Sequence, residues 1–77
     1  MNATRRKQLN KAARLLLDAL AIIEGVRDDE QEAYDNMPEG LQCSERGEQM
    51  YEYVSTLDDA VDSINDTIDY LNEIMEG

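Results

Sequence analysis

The sequence predicts an all-α protein: a long antiparallel two-helix hairpin, coiled-coil-like, that pairs with a second copy into a four-helix bundle. Three observations predict it. In the second half of the chain, Met50, Val54, Leu57, Val61, Ile64, Ile68, Leu71 and Met75 alternate spacings of four and three, the heptad pattern of supercoiled helices. In the first half, Leu9, Ala13, Leu16, Leu20 and Ile23 follow the same alternation. Between the halves stands the only proline, Pro38, with Gly40 two places on. A chain of 77 residues is expected to make a single domain, with a helix over about 4–35, a turn over 36–43 and a second helix over about 44–75.

The first helix has two candidate N-caps, Asn2 and Thr4. Beside its main seam runs a second one, Ala12, Leu15, Ala19, Ile22 and Val26. With Leu17 and Ala21, the two seams leave Asp18 as the only polar residue between Leu15 and Ile23. Gly25 interrupts the pattern at a cost of about 1 kcal/mol relative to alanine. Beyond Arg27 the helix turns acidic, keeping a thin apolar edge at Ala33, Tyr34 and Met37.

In the break, "DNMPEGLQCS", Pro38 disfavours helical geometry at Met37, and Gly40 is expected to supply a positive φ. Met37 and Leu41 are expected beneath the turn, against Met50 or Tyr51. Ser44 suits the N-cap of the second helix, with Glu45 and Glu48 at its positive end. Tyr53, Ala60, Thr67 and Ile74 flank the second seam at intervals of seven and are expected to widen the buried face. Each arm spans roughly 45 Å at 1.5 Å per residue, and a short connection favours antiparallel neighbours. Leu16, Leu20, Ile23, Leu57, Val61, Ile64, Ile68 and Leu71 are thus the expected core and oligomer seam. The first arm is apolar on more than one side, and one partner helix cannot cover it all. A second copy is the simplest cover.

Composition argues against whole classes of function. There is no histidine for proton transfer, and the lone Cys43 has neither a histidine to activate it nor a second cysteine to pair with. No zinc cluster and no glycine-rich phosphate loop is present. Asp58, Asp59, Asp62, Asp66 and Asp69 are hard oxygen ligands, but the glycine that turns a calcium loop is missing. The expectation is a non-enzymatic protein without cofactor or metal. "ARLLLDALAII" is too short to span a bilayer. Basic residues precede it as in a signal peptide, yet no small-residue cleavage site follows. The protein is therefore expected to be soluble and cytoplasmic, away from membranes.

The net charge of −11 favours a basic partner and opposes direct contact with nucleic acid. It is unevenly spread: Arg5, Arg6, Lys7, Lys11 and Arg14 precede the first acid, and no cation follows Arg46. In an antiparallel hairpin the basic start lies beside Asp66, Asp69, Glu73 and Glu76, so the two ends are expected to neutralise each other. The rest of the acidic charge follows the helix period. Glu48, Glu52, Asp59, Asp62, Asp66, Asp69, Glu73 and Glu76 form a row about 200° around from the core seam. Two readings stand. The row is a solvated face that keeps the chain soluble, or it is a rod of negative charge that a basic groove of another protein would accept in place of nucleic acid. On the second reading Asp59, Asp62, Asp66, Asp69 and Glu73 carry recognition.

At "EQEAYDNMPEGLQCSERGEQM" the chain resembles a group of small acidic helical proteins of phages and prophages, with an Asn-(Leu/Met)-Pro-Glu turn between two helices. Asn36, Pro38, Glu39, Leu41 and Ser44 carry the match, whereas the flanking helices match only in character. The resemblance implies a phage accessory protein, acting in the host cytoplasm by binding a host protein, for example as an inhibitor of antiviral defence. The alternative expectation is an assembly module whose apolar seams drive oligomerisation.

Overall fold

The first helix, α1, runs Ala3–Asp35. Asn2 sets its start: extended at the cap, its Oδ1 accepts the Arg5 N–H at 2.8 Å and satisfies one of the free donors of the first turn. Thr4 lies inside that turn. The helix ends at Asn36, whose N–H still reaches the Glu32 carbonyl at 3.0 Å, because Pro38 cannot continue the ladder.

The connection, expected as a turn over 36–43, contains one short turn of helix, α2 (Glu39–Gln42). The Pro38 carbonyl accepts from both Leu41 and Gln42, at 2.8 and 3.0 Å. Gly40 supplies no positive φ, and neither does any other residue. The chain reverses with negative φ throughout, through extended backbone at Pro38 and Ser44 and the short helical turn between them.

The second long helix, α3, spans Glu45–Glu76. Ser44 caps it, its Oγ accepting the Gly47 N–H at 3.3 Å and donating to the Leu41 carbonyl. Gly47 is buried where the first turn of α3 passes against the end of α2. A Cβ there would collide with the backbone carbonyls of Leu41 and Gln42.

The computed structural model covers residues 1–77 and forms an antiparallel hairpin of α1 and α3, 58 Å long and 15 by 13 Å across. No helix is long and apolar enough to cross a membrane. The core is one thin seam. Ala13, Leu20, Val54, Val61 and Ile68 are buried, with Leu16, Ile23 and Ile64 packed against their centre. Leu57 and Leu71 are half-buried in the same row. The seam continues on α1 through the half-buried Arg27, Glu30 and Tyr34, so its loop-proximal half is polar on one side. Two contacts fix the register there: Arg27 pairs with Asp58, and the rings of Tyr34 and Tyr51 meet at 6.0 Å. Seven residues forward on α1 correspond to seven residues back on α3.

The buried face is narrower than expected. Of the α3 flanking positions only Ala60 is half-buried, and Tyr53, Thr67 and Ile74 are exposed. Of the second α1 seam, Ala12 and Ala19 are half-buried, and Leu15, Ile22 and Val26 are exposed. Two helices share one line of contact, so a second stripe on each has nothing to pack on. Under the turn, Met37 is half-buried but Leu41 points outward. The space beside Tyr51 is taken by Tyr34, and Gln42 ties α2 to α1 by donating from Nε2 to the Tyr34 carbonyl at 2.9 Å.

Candidate functional site

No cluster of His, Cys, Asp or Glu is placed to hold a metal ion. Cys43 is exposed in the connection with its thiol free. What the hairpin does present is two contrasting surfaces, both set by α3.

The first is acidic. Asp59, Asp62, Asp66, Asp69 and Glu73 are exposed, as are Glu48, Glu52 and Glu76 in the same row. α3 carries ten carboxylates against a single cation, Arg46, whereas α1 carries seven against six. The row holds about one carboxylate per 5 Å of helix axis, sparser than a nucleic-acid strand with a charge every 3.4 Å or so. Nothing within the chain neutralises it. Both ion pairs of the structure belong to Arg27, which reaches Asp28 at 3.2 Å and Asp58 at 3.1 Å. The pairing expected at the open end does not form: Arg5, Arg6, Lys7 and Lys11 make no ion pair with Asp66, Asp69, Glu73 or Glu76. The physical reason is register and direction. With Arg27 level with Asp58, the start of α1 at Arg5, Arg6 and Lys7 comes level with positions past the end of α3, and Lys11 sits on the back of α1, turned away from it.

Arg27 was not legible as a structural residue from its charge. Its place was, since it falls seven residues after Leu20 and so lies in the seam. Its hydrogen bond to Asp28, then the nearby charges of Asp28 and Asp58, raise its pKa further above the ordinary guanidinium value, against a partial lowering by burial.

The second surface is uncharged. Along α3, Tyr53, Thr56, Ala60, Ser63, Thr67, Tyr70 and Ile74 form a continuous stripe without one ionisable acid or base of the Asp, Glu, Lys or Arg type. The matching stripe of α1, Ala12, Leu15, Ala19, Ile22 and Val26, is apolar throughout. In an antiparallel pair these stripes flank the seam on the same side. The opposite side is where Gln31, Tyr51 and Asp58 line a shallow groove beside the Arg27 pair. The hairpin thus has one polar broad face and one uncharged broad face. On the latter Ile22 is 69 % exposed, Leu15 60 % and Tyr70 61 %. Sequence periodicity had picked out the α1 stripe. On α3 it had picked out Tyr53, Ala60, Thr67 and Ile74, but not the continuous stripe that Thr56, Ser63 and Tyr70 complete. Absence of charge was the signal that would have found it.

No family model matches this chain, and no curated protein or solved structure matches it.

Proposed function

We propose that the protein is a non-enzymatic interaction module: it self-associates into a four-helix bundle and offers the outer face of α3 to a partner protein with a basic surface. The observation that carries the reading is the exposed row Asp59, Asp62, Asp66, Asp69 and Glu73, unopposed by any cation within the chain. A solvated face needs only mixed charge for solubility. A row of one sign carries repulsion between neighbours at three and four positions, which a cationic groove relieves. The phage and prophage resemblance supplies the setting, a host protein in the host cytoplasm, with a nucleic-acid-binding groove of a defence component as the kind of target. In this reading the protein does not bind nucleic acid itself.

The test is capture from a bacterial host lysate with the wild type and with Asp59, Asp62, Asp66 and Asp69 all changed to Asn. A partner held at low salt, released at high salt and lost with the variant supports the reading. Capture indifferent to the variant removes the acidic row as the contact surface.

A second reading is favoured by the uncharged face. Here the protein is an assembly module, its exposed apolar stripes form the working surface, and the acids keep it soluble. A variant lacking the four aspartates would then keep full activity, and one that cannot self-associate would lose it.

A further inference from the structure

The self-association just proposed leaves open which surface joins the copies and in which orientation, and the structure narrows both. Only six of 77 residues are buried, and the chain exposes 5799 Å². An ordinary compact monomer of its 8.8 kDa exposes about 4,800 Å², so this one shows about 1,000 Å² more. That surplus compares with the about 800 Å² that each partner covers in a stable protein–protein interface. The uncharged broad face is where such a surplus can be covered, because burying an unpaired charge costs far more than apolar contact returns. It is uncharged on both helices from Ile74 and Ala12 at the open end to Val26, roughly 20 Å at the helical rise, and on α3 alone as far as Tyr53, since Asp29 is the next residue of the α1 stripe. The half-buried Ala12, Ala19 and Ala60 along its midline would let another hairpin approach closely.

We infer that a second copy of this chain docks face to face on Leu15, Ile22, Val26, Tyr53, Tyr70 and Ile74, about a two-fold axis along the hairpin, so that both turns lie at the same end. This rests on the self-association reading and goes beyond it. The orientation follows from charge. With the axis along the hairpin, α1 of each copy lies over α3 of the other, a nearly neutral helix against a strongly acidic one. With the axis across it, α3 would lie over α3, each with ten carboxylates and one cation. The first arrangement also brings Arg5, seven residues before Ala12 in the α1 stripe, towards the acidic end of the other copy's α3. Both acidic rows remain on the outside.

The native cysteine is a ready probe. Nitroxide attached to Cys43 of the otherwise unaltered chain reports the distance between the two turns. Turns at the same end give about 20 Å, two helix diameters. Turns at opposite ends give most of the molecule's 58 Å length. The face is tested by Ile22→Glu, with Leu17→Glu as the control. Both residues are exposed apolar positions of α1 outside the hairpin's own core, but only Ile22 lies on the uncharged face. Ile22→Glu is expected to weaken the dimer by at least about 100-fold, and Leu17→Glu to leave it within a few-fold. If the dimer is obligate, Ile22→Glu will also lose helix on dilution, which supports the same face. A dimer with the long distance overturns the orientation. A dimer that Leu17→Glu breaks and Ile22→Glu spares overturns the face. A monomer at every concentration overturns this inference and the self-association reading together, and gives the face to a different protein.

Discussion

At the scale of single residues, the two glycines inside the long helices do opposite things. Gly47 is buried under the carbonyls of Leu41 and Gln42, backbone atoms that cannot rotate away. Gly47→Ala is expected to destabilise the fold by about 1–3 kcal/mol, read from urea unfolding followed by circular dichroism. Gly25 has no neighbour within reach of an added Cβ. Gly25→Ala is expected to stabilise by about 0.5–1 kcal/mol in the same assay, through helix propensity alone. The sequence pointed to Gly25 as the weak spot and to Gly40 as the special backbone position, and passed over Gly47. Helical periodicity reports which way a residue points, not how closely a neighbouring segment approaches it. Arg27 shows the same limit: its seam position was readable, its pairing with Asp58 depended on the register.

At the scale of the elements, most of the fold was legible. The heptad row of α3 is local information, fixed by residue type and spacing, and it lies against α1 from Val54 to Ile68. The Ser44 cap was equally local, since Ser needs only a free N–H two or three residues on. Ser44→Ala is expected to cost about 1 kcal/mol of helix or protein stability, and Asn2→Ala a similar amount, checked by thermal melts. The connection was less legible. Whether "PEGLQ" stays open or winds into one turn depends on whether the arms must be bridged tightly, and that is a tertiary demand. The end-to-end charge pairing failed as an expectation for a related reason. Sequence does not fix the register, which carries Arg5, Arg6 and Lys7 past the end of α3, nor which way each row faces, which is decided by the seam.

At the scale of the whole molecule, a hairpin this thin has little interior of its own. The residues expected to make one broad core divide into two sets. Leu16, Leu20, Ile23 and the α3 seam are taken up inside the chain, while Leu15, Ile22 and Val26 remain outside. A charge at Leu16 or Ile23 would therefore break the hairpin itself, whereas a charge at Ile22 reports on association. The acidic rows impose a further consequence. They lie outside any dimer formed through the uncharged face, so the four Asp→Asn changes are expected to leave self-association intact, or to strengthen it at low salt as repulsion between copies falls. The most direct measurement is the mass of the unaltered protein in solution, by sedimentation equilibrium over a range of concentrations. The account predicts twice the chain mass of 8.8 kDa, with dissociation only on dilution. A fully helical species that stays at 8.8 kDa at all concentrations would contradict it.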